Sequence, residues 1–127
     1  MIIELDMSSS TPIYVQLRNQ IVKGIGKGEL KTGEKLPTVR QLASDAGVNT
    51  MTVNKAYQIL KNEGFIRTDR RLGAFVSEFI ANDTDFTEKL ESELELLSAE
   101  ACLTGISREE FLSMCDKIYS QMKPCTA

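Results

Sequence analysis

Between Asn49 and Lys61 the side chains sort by helical spacing. At about 100° per residue, Val53, Ala56, Tyr57 and Leu60 gather on one side, so Met51, Asn54, Lys55 and Gln58 point the other way. Carboxamides pair bidentately with adenine and an ammonium reaches guanine or phosphate, so this face carries the chemistry of major-groove recognition. Taken alone, an ordinary solvated helix face is the better reading. The residues that follow favour the first reading. Arg67, Arg70 and Arg71 lie on or beside a short turn-rich segment, where guanidinium forks can grip phosphates or enter a minor groove; solubilising charge on a loop is the alternative.

The elements that would position these groups are marked in the chain. Thr38 and Gln41 have the spacing of a capping box, and Val39, Leu42, Ala43 and Ala46 form the apolar face of a first short helix. Ala43, Gly47 and Val53 then sit where two helices approach, turn and anchor. Asn49 caps the second helix and Gly64 ends it. Residues 65 to 68 have strand character, 69 to 73 form a turn, and 74 to 76 return. Upstream, Thr11 and Pro12 form an N-cap and first-turn pair for a helix with a stripe of Ile13, Leu17, Ile21 and Ile25. Gly24, Gly26 and Gly28 weaken its far end, so termination is expected between Gly26 and Leu30. Leu36, held extended by Pro37, is expected to add a minor strand to the hairpin. Ile2, Ile3 and Leu5 are expected to pack on this unit or on a partner subunit. The fold class is mainly α with a small β wing: a winged helix-turn-helix over residues 10–78, followed by a two-helix dimerisation segment over 79–127.

A chain of 127 residues holds one domain and an appendage. Its formal charge of −3 is an average of unlike parts. Residues 11–76 contain eleven Lys or Arg against five Asp or Glu, and residues 77–127 contain four against eleven. Phosphate feels the local field within about 10 Å, so the basic half suits double-stranded DNA and the acidic half does not. The chain has no His, no Gly-rich phosphate loop and no acidic pair in a recognisable pocket, which argues against an enzyme. No cofactor or metal site is indicated. Without a signal peptide or an apolar run near 18 residues, a soluble cytoplasmic protein without membrane contact is expected.

In the acidic half, Phe86, Leu90, Leu94, Leu97 and Ala101 form the stripe of a long amphipathic helix. Gly105 closes it, and Ser107 with Glu110 forms a capping box for a second helix bearing Phe111, Leu112, Cys115, Ile118, Tyr119 and Met122. Two helices alone cannot close a core, so a homodimer is expected, with Phe86, Leu90, Leu94, Leu97, Phe111, Cys115, Ile118 and Met122 at its interface. Folding back on the same chain's winged unit is the alternative. Cys102, Cys115 and Cys125 are expected to be buried free thiols, with redox sensing a minor option for Cys125, and the methionines other than Met51 core filler. Two-fold symmetry would place two recognition helices about one DNA turn apart, so an inverted-repeat operator follows. A small-molecule effector, if there is one, would sit between subunits.

Over roughly residues 10 to 78, the blocks TPIYVQLRNQI, GEKLPTVRQLA, VNTMTVNKAYQILKNEGFI and GAFV resemble, in this order, the DNA-binding domain of GntR-family bacterial transcription regulators. The short tail and the NTMTVNKAY segment look most like the YtrA-type subfamily. That resemblance implies a dimeric repressor, often of a transporter operon. Activation, or a winged helix used to bind protein, are the alternatives. By resemblance Arg40 contacts DNA from the first short helix, Asn49 and Thr52 bind backbone phosphate, Thr50, Asn54 and Lys55 approach the bases or groove wall, and Arg71 with Gly73 forms the wing tip. Thr38, Met51, Gln58 and Arg70 complete the candidate set. The sequence departs from many members in Thr50, where arginine is frequent, and Val39, where an acidic residue is common. Asn54, also often arginine elsewhere in the family, favours adenine on physical grounds.

Overall fold

A computed structural model describes residues 3–78 and 84–123. The chain divides into two compact units, one built on Met1–Ile80 and the other on Ala81–Met122.

The first unit contains α1 (Ile13–Gly26), α2 (Val39–Ala46), α3 (Thr50–Glu63) and an antiparallel hairpin of β1 (Ile66–Asp69) and β2 (Gly73–Val76). Its core draws one stripe from each element: Leu17, Ile21 and Ile25 from α1, Leu42 and Ala43 from α2, and Val53, Ala56, Tyr57 and Leu60 from α3. Ile66 and Val76, opposite each other in the hairpin, close it. No polar or charged residue is buried among the described residues, so this core has no desolvated charge to compensate.

The helix ends are set by local chemistry. Thr38 Oγ1 accepts from the Gln41 amide at 3.1 Å while Gln41 Oε1 accepts from the Thr38 amide at 2.9 Å, the full reciprocal box. Gly47 ends α2 at φ 71°, a left-handed conformation that side chains with a Cβ resist, and this lets α3 begin three residues later. α1 ends at Gly26, as expected. Its start differs, because Pro12, not Thr11, flanks the first turn and no side chain caps it. The Pro12 carbonyl accepts from Val15 and Gln16, and the Thr11 carbonyl accepts from the Gln16 side chain instead. The third strand of the wing is also displaced by one residue: Lys35, not Leu36, bridges Phe75, while the Leu36 amide donates to Ala74 O at 2.8 Å. Leu36 is thereby free to enter the core.

Ile3 and Leu5 pack on this core; Ile2 lies outside the described residues. Two glutamines one turn apart on α1 tie the segment down. Gln16 Oε1 accepts from the Asp6 amide at 2.8 Å and Gln20 Oε1 from the Glu4 amide at 2.9 Å, and their carboxamide nitrogens donate back to the Asp6 and Glu4 carbonyls. Arg18 of α1 grips Glu63 at the end of α3 with two hydrogen bonds of 2.9 and 2.8 Å.

The second unit pairs α4 (Thr84–Leu103) with α5 (Arg108–Ser120). Ser107 Oγ accepts from the Glu110 amide, but Glu110 Oε1 bonds back to the Ser107 hydroxyl, so only half of the predicted box forms. None of the described side chains of either helix is buried. Cys102 and Cys115 are exposed, against the expectation of buried thiols, because a two-helix unit has no interior; Cys125 lies outside the described residues. For the same reason Met114 is not core filler, and Met7, on the segment leading to α1, is exposed too.

Candidate nucleic-acid interface

Packing of Val53, Ala56, Tyr57 and Leu60 fixes the rotation of α3, so Thr50, Met51, Asn54, Lys55 and Gln58 are exposed. The first turn is anchored by Asn49, whose side-chain oxygen accepts from the Thr52 amide at 2.8 Å and from the Thr52 hydroxyl at 3.0 Å. Asn49 thus keeps its carboxamide N–H groups for an outside acceptor. Thr52, with its hydroxyl proton committed, can only accept. On α2, Thr38 uses its oxygen as a cap acceptor and retains a hydroxyl proton, while the exposed Arg40 has no ion-pair partner among the described residues.

Lys55 is directed by a contact not legible in its own helix. Its Nζ lies 4.0 Å from the centroid of the Tyr14 ring, which draws the ammonium toward α1. Such a contact stabilises by about 0.5–1 kcal/mol at an exposed site, enough to bias a flexible side chain. Gln58 donates to Asn62 at 3.1 Å, leaving its carbonyl oxygen available. On the opposite flank of α3, Asn54, Gln58 and Lys61 border an open groove of about 310 Å³ that Thr38, Lys35 and Thr68 also line. Lys35 and Lys61 therefore join the candidate surface. Sequence spacing could have found Lys61, which follows Asn54 at i+7, but Lys35 reaches the groove only through its bridge to the wing.

Tyr57 sets the floor of this groove. Its hydroxyl donates to the Pro37 carbonyl at 2.8 Å, and burial pushes the phenol up to about 12, so it stays a neutral donor around neutral pH. This bond joins α3 to the segment entering α2.

The wing turn is organised by Asp69. One carboxylate oxygen accepts from the Arg71 amide at 2.7 Å and the Leu72 amide at 3.1 Å. These two bonds, with the nearby positive charge of Arg67, hold the carboxyl below its ordinary value of 3.8. Arg70 and Arg71 are left exposed in the turn. Gly73 follows at φ 104°, where a Cβ would stand 3.4 Å from Lys35 Cε. Arg67 is engaged differently from its two neighbours. Its guanidinium lies 4.7 Å from the Phe75 ring centroid and 3.7 Å from Glu78, along the sheet and away from the turn.

In the second unit, Phe86, Leu90, Leu94, Leu97, Cys115 and Ile118 are exposed, and Phe111 and Met122 half-buried. Among the described residues no group of His, Cys, Asp or Glu could hold a metal, and no helix is long and apolar enough to cross a membrane.

Residues 11–76, which contain every element of this surface, match the family model of bacterial regulatory proteins of the gntR family. The chain is 37% identical over 124 residues to the HTH-type transcriptional repressor YtrA of Bacillus subtilis, covering 95% of each. Among solved structures it is similar to a transcriptional antiterminator from Listeria monocytogenes (TM-score 0.86, 28% identity, 94% of this chain and 93% of that one). It is likewise similar to YtrA from Sulfolobus acidocaldarius, a GntR-family transcription factor (TM-score 0.63, 42% identity, 76% and 99%). It is also similar to the DNA-binding domain of AraR in complex with an operator (TM-score 0.54, 27% identity, 58% and 93%). The winged fold, the polar outer face of α3 and the match across residues 11–76 have one reading: the chain belongs to the GntR family of transcription regulators and is a sequence-specific DNA-binding protein, not an enzyme.

Proposed function

We propose that this regulator is a homodimeric repressor that occupies an inverted-repeat operator and occludes its promoter. The observation that carries the proposal is the pairing of two unlike exposed surfaces. One is the polar face of α3, flanked by Arg40 on α2 and by Arg70 and Arg71 on the wing. The other is an apolar face on α4 and α5 that nothing in the described chain buries. A second copy of the chain is the occupant that fits the latter, because two helices bury too little surface to stand alone and the opposite sides of α4 are acidic. Phe86, Leu90, Leu94, Leu97, Phe111, Cys115, Ile118 and Met122 form that interface. Repression is supported by the likeness to a named repressor over nearly the whole chain.

In this reading α3 enters the major groove. Thr50, Met51, Asn54 and Gln58 face base edges, with Asn54 placed to pair with adenine. Asn49, Thr52, Lys55 and the Thr38–Arg40 end of α2 meet the phosphates, and Arg70, Arg71 and Gly73 carry the wing to the backbone or minor groove. Resemblance adds a transporter operon as the target.

Selection from a random duplex pool at about 150 mM salt tests the proposal, since that salt suppresses loose phosphate binding. Recovery of an inverted repeat with half-sites about one turn apart is the expected result. A single unrepeated half-site would overturn the dimer; no enriched sequence would overturn operator recognition.

A further inference from the structure

Three large hydrophobic side chains are exposed among the described residues of the winged unit: Met7, Met51 and Leu72. Two of these stand on the proposed DNA-facing elements, Leu72 in the wing turn and Met51 as the second residue of α3. Met51 is the most exposed of the three, at 78%. It lies almost diametrically opposite the buried side of its helix and within one turn of Asn54 and Lys55.

The surroundings of Met51 are otherwise polar. Asn49 and Thr52 are bonded to each other, and Lys55 is drawn aside by Tyr14. A thioether in this position can neither donate a hydrogen bond to a base nor pair with a phosphate. The first turn of a recognition helix is the part that reaches base edges. On those edges the major groove presents one apolar group, the C5-methyl of thymine. Met is long, unbranched and adaptable, so it can close on a methyl without the fixed geometry that a hydrogen bond requires.

We propose that Met51 is a specificity-determining residue that reads the 5-methyl group of a thymine in each half-site. The inference rests on the operator reading above and deepens it. Asn54, three residues further along the same helix, would take an adenine nearby, so the half-site should be rich in A·T pairs where the start of α3 enters the groove.

Deoxyuridine replaces thymine by removing only the methyl, which isolates the contact. Each thymine of the selected operator is changed in turn, in both half-sites, and affinity is measured for the full-length protein, Met51→Ala and Met51→Leu. At one thymine position the substitution should weaken the wild-type protein by about fourfold per half-site, the worth of one buried methyl. Met51→Ala should bind the thymine and deoxyuridine operators equally, and Met51→Leu should restore part of the discrimination. If no thymine shows an effect that depends on residue 51, the proposal is overturned while the operator reading stands. If selection yields no operator, both fall together.

Discussion

The two units carry nearly the same sequence pattern and opposite burial. In α1, Leu17 and Ile21 recur every fourth residue and are both 0% exposed; in α4, Leu94 and Leu97 continue an equivalent stripe and are 40% and 54% exposed. The difference lies in the number of layers. The α1 stripe meets α3, with α2 and the hairpin closing the remaining sides, whereas within its own unit α4 packs on a single helix, α5. Periodicity states that a face must be covered, and the count of neighbouring elements states whether the same chain can cover it. In the winged unit the apolar side chains are buried by folding; in the helical unit they are left exposed.

The strongest way to break this contrast is Leu94→Asp. A charge on the exposed stripe should leave the winged unit folded but convert the proposed dimer to monomer, and operator affinity should fall by about 10²–10⁴ through loss of bivalency. Sedimentation and operator titration check it, and a variant that stays dimeric would move the interface elsewhere. Leu17→Ala should act in the opposite way. It should lower the unfolding free energy by about 2–5 kcal/mol, with a midpoint shift in urea that does not depend on protein concentration. Leu97→Ala should give a shift that does.

Smaller effects sharpen the DNA-facing side. Lys55→Ala should weaken operator binding, lower stability by no more than the about 0.5–1 kcal/mol of its ring contact, and reduce the log-log salt slope by about one per half-site. Tyr14→Leu should reproduce part of that loss, because the ring that holds the ammonium is gone, whereas Tyr14→Phe keeps the ring and should bind normally. An unchanged Tyr14→Leu protein would mean that the ring does not position Lys55. The smallest effect concerns Asp69. Its folded carboxyl is depressed, so its contribution is complete above the ordinary value of 3.8 and is lost as pH falls through the lower folded value. Amide signals of Arg71 and Leu72 should therefore hold their positions through mildly acidic pH and move only below about 4. Movement centred above that range would contradict the bonds from Asp69.

Much of the geometry of the candidate surface was legible because its determinants are local. The Thr38–Gln41 box, the Asn49 cap, the left-handed Gly47 and the outward rotation of Met51, Asn54 and Gln58 all follow from residues within one or two turns of each other. Features that depend on distant contacts were not. Nothing near Lys55 in sequence indicates Tyr14, and nothing near Lys35 indicates Phe75. The cap assigned to Thr11 failed for a related reason: Gln16, bonded to the N-terminal segment, takes the Thr11 carbonyl, and Pro12 opens the helix. Cys102 and Cys115 are exposed because a two-helix unit encloses no interior, which residue type alone does not reveal.

The sequence by itself determined the order of elements, the ends of α2 and α3, the rotation of α3 and the separation of basic from acidic halves, since short-range hydrogen bonds, backbone preferences and periodicity act within a segment. Only the tertiary structure decided which cations remain free and which are tethered, where the third strand joins the wing, and which apolar stripe becomes core. Those outcomes depend on groups brought together across many residues, and their energies exist only once the chain has closed.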